Sequence, residues 1–235
     1  MSRFYLRVRA RFAAFRWMQA GVFRATAPIV PPSAAWGLVL NLAGVETRGG
    51  DDGVTTLVRS DAPPLRISVG RHGDAREPET AVLYQQLHGY RIDLDEKATE
   101  LARQTHGAKY WIAPARRELL VGLDAVIAVE TADGPLAQRV VDGLAGRLPG
   151  ARYGLPFAGD NSFLIDRIDW SEAPPKARWY ERVTAGEGPR EGSCRLTVAI
   201  DRSDSSRTTS GLYAPSEVVE GGPPEAAWTW VPKAP

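Results

Sequence analysis

The sequence predicts an α+β fold of the split βαβ, ferredoxin-like kind, carrying an inserted arm and a small β-rich C-terminal piece. Three observations predict it. Residues 3–13, RFYLRVRARFA, alternate apolar and arginine-bearing positions, the period of a strand. Residues 33–44 and 134–148 carry helical patterns. The patterns follow in the order strand, helix, strand, insertion, strand, helix, strand, which puts the first and third strands at the centre of an antiparallel sheet.

In the first strand Phe4, Leu6, Val8, Ala10 and Phe12 face one way, toward a core. Arg3, Tyr5, Arg7, Arg9 and Arg11 face the other. Two readings of that second face stand: a surface for a nucleic-acid backbone, or the solvated face of an edge strand. Residues 14–32 read as a long connection bearing Arg16 and Arg24 and the aromatics Phe15, Trp17 and Phe23. Pro31 and Pro32 then precede Ser33, the expected N-cap of the first helix. Trp36, Leu38, Val39, Leu40, Leu42 and Ala43 make that helix apolar almost all round, and Gly44 is its expected C-cap. Such a helix must be covered, most simply by a sheet. Gly37 costs it about 1 kcal/mol against alanine, which suggests a close backbone approach.

Residues 54–60 and 65–70 read as strand material split by Pro63 and Pro64. Residues 71–113 break the rhythm and read as an arm. They hold all three histidines and a short helical run from Asp93 to about Gln104. A long strand is expected over 116–131, a helix over 134–148 with Leu136, Val140, Val141, Leu144 and Leu148 on one side, and a strand over 161–170. Residues 1–170 thus form one domain. Residues 171–235 form the C-terminal piece, with short strands in ARWYERV, SCRLTVAID and AAWTWVP.

Composition narrows the function classes. With 235 residues and 43% hydrophobic content the chain can bury a core. The net charge is only +1, but the first 45 residues carry six arginines and no acid. A locally basic face on a neutral protein suits contact with nucleic acid. Cys194 is the single cysteine, so no disulfide within the chain and no cysteine-based zinc site is possible. With no signal-peptide pattern and no apolar run of roughly 20 residues, a cytoplasmic protein away from membranes is expected. The sequence has no phosphate-binding glycine motif, no His-Glu-x-x-His and no Gly-x-Ser-x-Gly.

Single-stranded nucleic acid is held by cations on phosphates and by aromatic side chains stacked on bases. Arg16, Arg24 and the unpaired N–H groups at the helix start suit the first task. Phe15, Trp17 and Phe23 suit the second; the other reading places Phe15 and Phe23 in the core. GLPFAGDN (154–161) is either a plain turn or a place where backbone approaches RNA.

The stretch FAAFRWMQAGVFRATAPIVPPSAAWGLVLNLAG (12–44) resembles the N-terminal signature of the Cas-five family, subunits of type I CRISPR Cascade complexes. Residues 109–130 and 152–169 are similar to two further family segments. The resemblance covers about the first 170 residues. It implies an RRM-like fold with a protruding thumb, matched here by position to the arm. It implies binding of the 5′ handle of the CRISPR RNA (crRNA). It implies contacts to a backbone Cas-seven-type subunit and a large Cas-eight-type subunit, and to target DNA only through the complex. Carried over, Arg16 and Arg24 match positions before the helix, Ser33 and Ala34 its start, and Gly154 and Gly159 the glycine region.

One branch of that family, in the type I-C system, cleaves precursor RNA without metal. That chemistry needs a base for a 2′-hydroxyl and an acid or cation for the leaving group. His88, His106, Lys109 and Tyr110 are the foremost candidates, with His72 and Tyr84 behind them. The opening RFAAFRWMQAG departs from that branch. The favoured expectation is therefore a non-catalytic RNA-binding subunit needing no cofactor or metal. The alternatives are the metal-independent endoribonuclease and a generic ferredoxin-like RNA-binding module.

Overall fold

The computed structural model describes residues 2–49, 57–91, 110–184 and 186–233. The expected helical run after Asp93 and residues 54–56 of an expected strand lie outside them. The strands are β1 (Ser2–Ala13), β2 (Arg16–Ala20), β3 (Phe23–Thr26), β4 (Leu65–His72), β5 (Glu79–Arg91) and β6 (Tyr110–Thr131). There follow β7 (Arg167–Ser171), β8 (Ala177–Arg182), β9 (Cys194–Ala199), β10 (Thr209–Val219) and β11 (Thr229–Val231). The helices are α1 (Pro32–Leu42) and α2 (Gly134–Leu144).

All these strands belong to one mostly antiparallel sheet. β1 lies along β6 from Ser2↔Thr131 to Ala13↔Leu120. β7 takes the other edge of β1, and β4 the other edge of β6. The middle of the sheet thus runs β7-β1-β6-β4, with β1 and β6 inside. The C-terminal strands extend it: β8 and β11 pair with opposite ends of β4, and β10 and β9 follow β8.

The main core lies between the sheet and the helices. Phe4, Leu6, Val8 and Ala10 of β1 meet Val39, Leu40 and Leu42 of α1 and Leu136 and Val140 of α2 there. Leu196, Val198 and Tyr213 join from β9 and β10. Helix α1 therefore touches β4 and β11 as well as β9, and this enclosure is why its sequence is apolar on nearly every side. Each of its large buried side chains contributes about 1.5–3 kcal/mol, more than enough to offset a glycine and an uncapped start.

The local chemistry of α1 differs from expectation at three points. The flanking residue is Pro31, and no side chain caps the helix, so Ser33 is not its N-cap. Pro32 opens the helix, where its missing N–H costs nothing. The Pro31 carbonyl accepts from the N–H groups of Ala34 and Ala35, both at 3.0 Å. Gly37 makes no close approach: an added Cβ there meets nothing within 4 Å. The close approach is at Gly143 of α2, where a Cβ would run into the Leu42 carbonyl. Gly44 does end the helix, at φ +65°, with its N–H on Asn41 O and Val45 N–H on Leu40 O.

Phe12 also departs from simple alternation. Beyond Ala10 the next core residue of β1 is Ala13, and in β6 the core takes Leu120 and Leu123 around Gly122 at φ +80°. This shift turns Phe12 outward, 48% exposed, beside the Phe163 ring at 6.2 Å. At the same place β6 exchanges partners, from β4 (to Ala125) to β5 (from Val121). From there β5 runs along the first half of β6, and before Arg116 the two form a two-stranded ribbon; Val82, Leu83 and Tyr84 of β5 are exposed. The start of the expected arm is thus strand.

A smaller cluster covers the other face of the sheet. Tyr5, Val126 and Ala128 pack there with Ala177, Trp179, Ala227 and Trp228. The guanidinium groups of Arg3 and Arg66 stand over the Trp228 ring, at 5.1 and 5.3 Å from its centre. Both arginines donate to Glu130 of β6. Among the described residues no helix is long and apolar enough to cross a membrane.

Candidate functional site

The arginine face of β1 is matched by acids from strands remote in sequence. Arg7 donates twice to Asp124 of β6, at 2.8 and 2.6 Å. Such bidentate pairs are the strong form of the arginine–carboxylate bond. Arg9 Nη2 donates to Asp169 of β7 at 2.9 Å, and that carboxylate also accepts from Arg167 at 2.6 Å. Burial pushes the Asp169 carboxyl up, but the bonds from Arg167 and Arg9 outweigh it and hold its pKa below the ordinary value. The Arg11 guanidinium stands 3.9 Å from Asp166, and its side chain is 85% exposed. Charge counted along the first 45 residues therefore overstates the bare positive charge on this face.

Residues 16–26 are not a loop. They form a hairpin, β2–β3, turned at Gly21 (φ +55°). The hairpin docks on β6 through parallel pairing of Phe23 with Arg116 and Arg24 with Arg117. The Arg116 N–H donates to Val22 O at 2.8 Å. Phe15, expected as a base-stacking residue, is a core residue instead, 4% exposed. Its backbone ties the hairpin base, donating to Thr26 Oγ1 at 2.9 Å and accepting from Ala27 N–H at 2.7 Å. Trp17 is 41% exposed and Phe23 half-buried.

Cross-strand partners share a face of a sheet, as do residues two apart. Arg16 is paired with Thr26, two residues beyond Arg24, and Arg24 is paired with Arg117. The register therefore places Arg16, Arg24 and Arg117 on one face. Phe23, Arg116 and Tyr84 form a row on the other. Arg16 and Arg24 have no ion-pair partner among the described residues.

The glycine region closes against this hairpin. Ala158 O accepts from Ala14 N–H at 3.0 Å, and Ala158 N–H donates to Phe163 O at 2.7 Å. Gly159, at φ +81°, fits because a Cβ would strike the Ala14 carbonyl and the Phe15 ring. The close backbone approach expected there is thus to the chain's own backbone. Gly154, at φ +68°, is open. The expected 161–170 strand begins only at Arg167, in β7; Asp160 turns the chain ahead of it by accepting from Ser162 N–H at 2.9 Å. Ser33 and Ala34 are half-buried, and Ala34 lines a small apolar cleft with Phe15, Leu38 and Phe157.

An open groove of about 480 Å³ lies where hairpin, ribbon and glycine region meet. Arg24, Gln85, Gln86, Arg117, Asp160, Asn161 and Ser162 line it. Arg117 is ion-paired with Asp160 and also lies 5.4 Å from the Phe163 ring. Burial raises the Asp160 carboxyl, but the bonds from Arg117 and Ser162 lower it more, so it stays ionised. Every other lining side chain offers hydrogen-bond donors. Sequence reading found Arg24 and missed the rest, because 93 residues of chain separate Arg24 from Arg117; the Gly-Asp-Asn-Ser turn was its one local signal.

Four of the residues considered for cleavage lie within the described residues. His88 and Tyr110 lie on opposite strands of the ribbon, paired with Ile112 and Arg91 respectively. His72 ends β4 opposite Ala177, and Tyr84 is 69% exposed on β5. His106 and Lys109 lie outside the described residues. Among the described residues no three His, Cys, Asp or Glu side chains are grouped to hold a metal ion.

By sequence, the chain matches no protein-family model and no curated protein. By structure it is similar to a solved chain titled "CRISPR RNA-guided surveillance complex", with a TM-score of 0.54, 17% identity and 96% of each chain covered. A second solved chain, titled "Crystal structure of Cas protein", aligns at a TM-score of 0.43 and 12% identity, over 94% of this chain and all of that one. At that identity the first likeness is one of fold; the second is too distant to add to it.

Proposed function

We propose that this chain is a non-catalytic, crRNA-binding subunit of a type I CRISPR Cascade complex, of the Cas-five kind. The observation that carries the reading is the contrast between its arginines. Arg3, Arg7 and Arg9 are held by internal carboxylates. Arg16 and Arg24 share a face of the hairpin, beside an open polar groove, with no carboxylate of their own. Unpaired guanidinium groups on neighbouring strands of one hairpin suit the phosphates of an RNA backbone. Trp17, exposed on the same hairpin, supplies a surface for a base.

Three further features support the reading. The order β7-β1-β6-β4, with a helix on each side of the β4–β6 pair in sequence, is what a ferredoxin-like sheet requires. The fold likeness extends over 96% of a chain from an RNA-guided surveillance complex. Leu155, Phe157 and Leu164 are 66, 47 and 57% exposed within one loop region, which suits contact with neighbouring subunits of the backbone and large-subunit types. In this account the β5–β6 ribbon is the root of the thumb, and the hairpin holds the 5′ handle.

The test is the double substitution Arg16→Ala, Arg24→Ala within the assembled complex. RNA retained per complex falls, and binding weakens less steeply with salt, because two phosphate contacts are gone. Thermal unfolding of the chain on its own is unchanged, since neither side chain is buried. Full RNA content in the double variant overturns the assignment.

A further inference from the structure

The groove at the root of the ribbon holds more than the proposed function uses. It gathers two guanidinium groups, three primary amides and a hydroxyl around one carboxylate. The carboxylate is the odd member. Asp160 lies in a groove otherwise built for an acceptor, and it occupies one of the two cations. Its Oδ2 takes Arg117, while its Oδ1 takes the Ser162 N–H at 2.9 Å. Arg117 and Asp160 are 17 and 24% exposed, so their pairing is shielded but open to exchange from the groove. Arg24, beside Arg117 in register, is unpaired.

We propose that this groove binds one nucleotide of a single-stranded RNA, and that Asp160 is an internal competitor that holds Arg117 until a phosphate takes its place. This rests on the RNA-binding reading above and deepens it. In the empty groove the Asp160 carboxylate satisfies Arg117, which is otherwise a half-buried cation without a partner. When a phosphodiester enters between Arg24 and Arg117, the two guanidinium groups fork onto its oxygens, and Asp160 keeps its bond to Ser162. Gln85, Gln86 and Asn161 then lie within the same groove as the attached base. Amide side chains pair with base edges through one donor and one acceptor, so the groove reads the base as well as holding the phosphate. The exchange makes binding selective: an anion alone gains little over Asp160, whereas a nucleotide gains the amide contacts too.

The variant Asp160→Asn separates these roles, because its Oδ1 still accepts from Ser162 while its charge is gone. Binding of a labelled single-stranded RNA oligonucleotide by wild type, Asp160→Asn and Arg24→Ala is measured over a salt series. Asp160→Asn binds roughly tenfold tighter, the worth of one released charge-assisted hydrogen bond, while Arg24→Ala weakens binding and flattens its salt dependence. Unchanged or weaker binding by Asp160→Asn, with Arg24→Ala still weakened, overturns the competitor and leaves the RNA-binding reading standing. No RNA binding by wild type or either variant overturns both. A loss of binding that tracks a lowered unfolding temperature in Asp160→Asn makes Asp160 a structural residue and also overturns the competitor. A companion comparison of the oligonucleotide with inorganic phosphate tests the base contacts; equal occupancy at equal phosphate concentration refutes them.

Discussion

Replacing Glu130 with glutamine tests how β1 and β4 are tied across β6. Glu130 lies on β6, its side chain 10% exposed, and accepts from Arg3 Nε at 3.1 Å and from Arg66 Nη1 at 2.7 Å. Glutamine keeps the volume but removes the charge, and its amide turns donors toward donors. A hydrogen bond to a charged group contributes about 1.5–3 kcal/mol when shielded, which applies to Arg66, 21% exposed. Arg3 is 45% exposed, so its share is nearer the ~1 kcal/mol of a surface pair. The loss should be about 2–4 kcal/mol at pH 7.

The pH dependence has a definite sign. Burial pushes the Glu130 carboxyl up, but the bonds from Arg3 and Arg66 hold it below its ordinary value in the folded state. Its stabilisation is therefore complete above the unfolded value, about 4.3, and is lost as the pH falls through the lower folded value. Urea unfolding of wild type and Glu130→Gln at pH 7, and at steps down to pH 2, measures both. The gap should be widest at neutral pH and shrink as the medium becomes acid. Equal midpoints at pH 7, or a gap independent of pH, refute the reasoning.

Three other expectations concern glycines and the hairpin. Gly143→Ala forces α1 and α2 apart at the Leu42 carbonyl and should cost about 1–3 kcal/mol, read as a lowered melting temperature. Gly37→Ala, on the partner helix with nothing within 4 Å of its added methyl, should instead stabilise by up to about 1 kcal/mol; destabilisation there means a hidden contact. Gly159→Ala meets both positive φ and the Ala14 carbonyl, so it should lower the melting temperature and, by loosening the groove, also RNA binding. Binding unaffected in a destabilised Gly159→Ala means that the glycine region does not shape the site.

The local patterns carried the elements whose periodicity is strong. The alternation of β1, the apolar α1 and the Gly44 stop are visible within about a dozen residues each, and they stand where expected. Two long strands were not visible. In β5 the apolar residues Val82, Leu83 and Tyr84 are consecutive and exposed on a ribbon, so they make no apolar alternation, and β10 contains Pro215 and a register shift. Phe15 reads the same in a stacking platform and in a core; only the return of residues 158–163 over the hairpin base distinguishes them. The site was legible in Arg16 and Arg24, which are close in sequence. It was illegible in charge balance, because Asp124, Asp169 and Asp160 reach their arginines across more than 40 residues of chain. A basic segment becomes a basic surface only where the fold leaves it without such partners.

The central claim, that the chain holds guide RNA within a multi-subunit complex, is tested most directly by purifying it. The tagged chain is co-expressed with its neighbouring genes and any adjacent repeat array, and the RNA that comes with it is sequenced. The account predicts a large particle carrying RNA of uniform length with a common repeat-derived 5′ end. A soluble, folded chain that brings down neither partners nor RNA would contradict it.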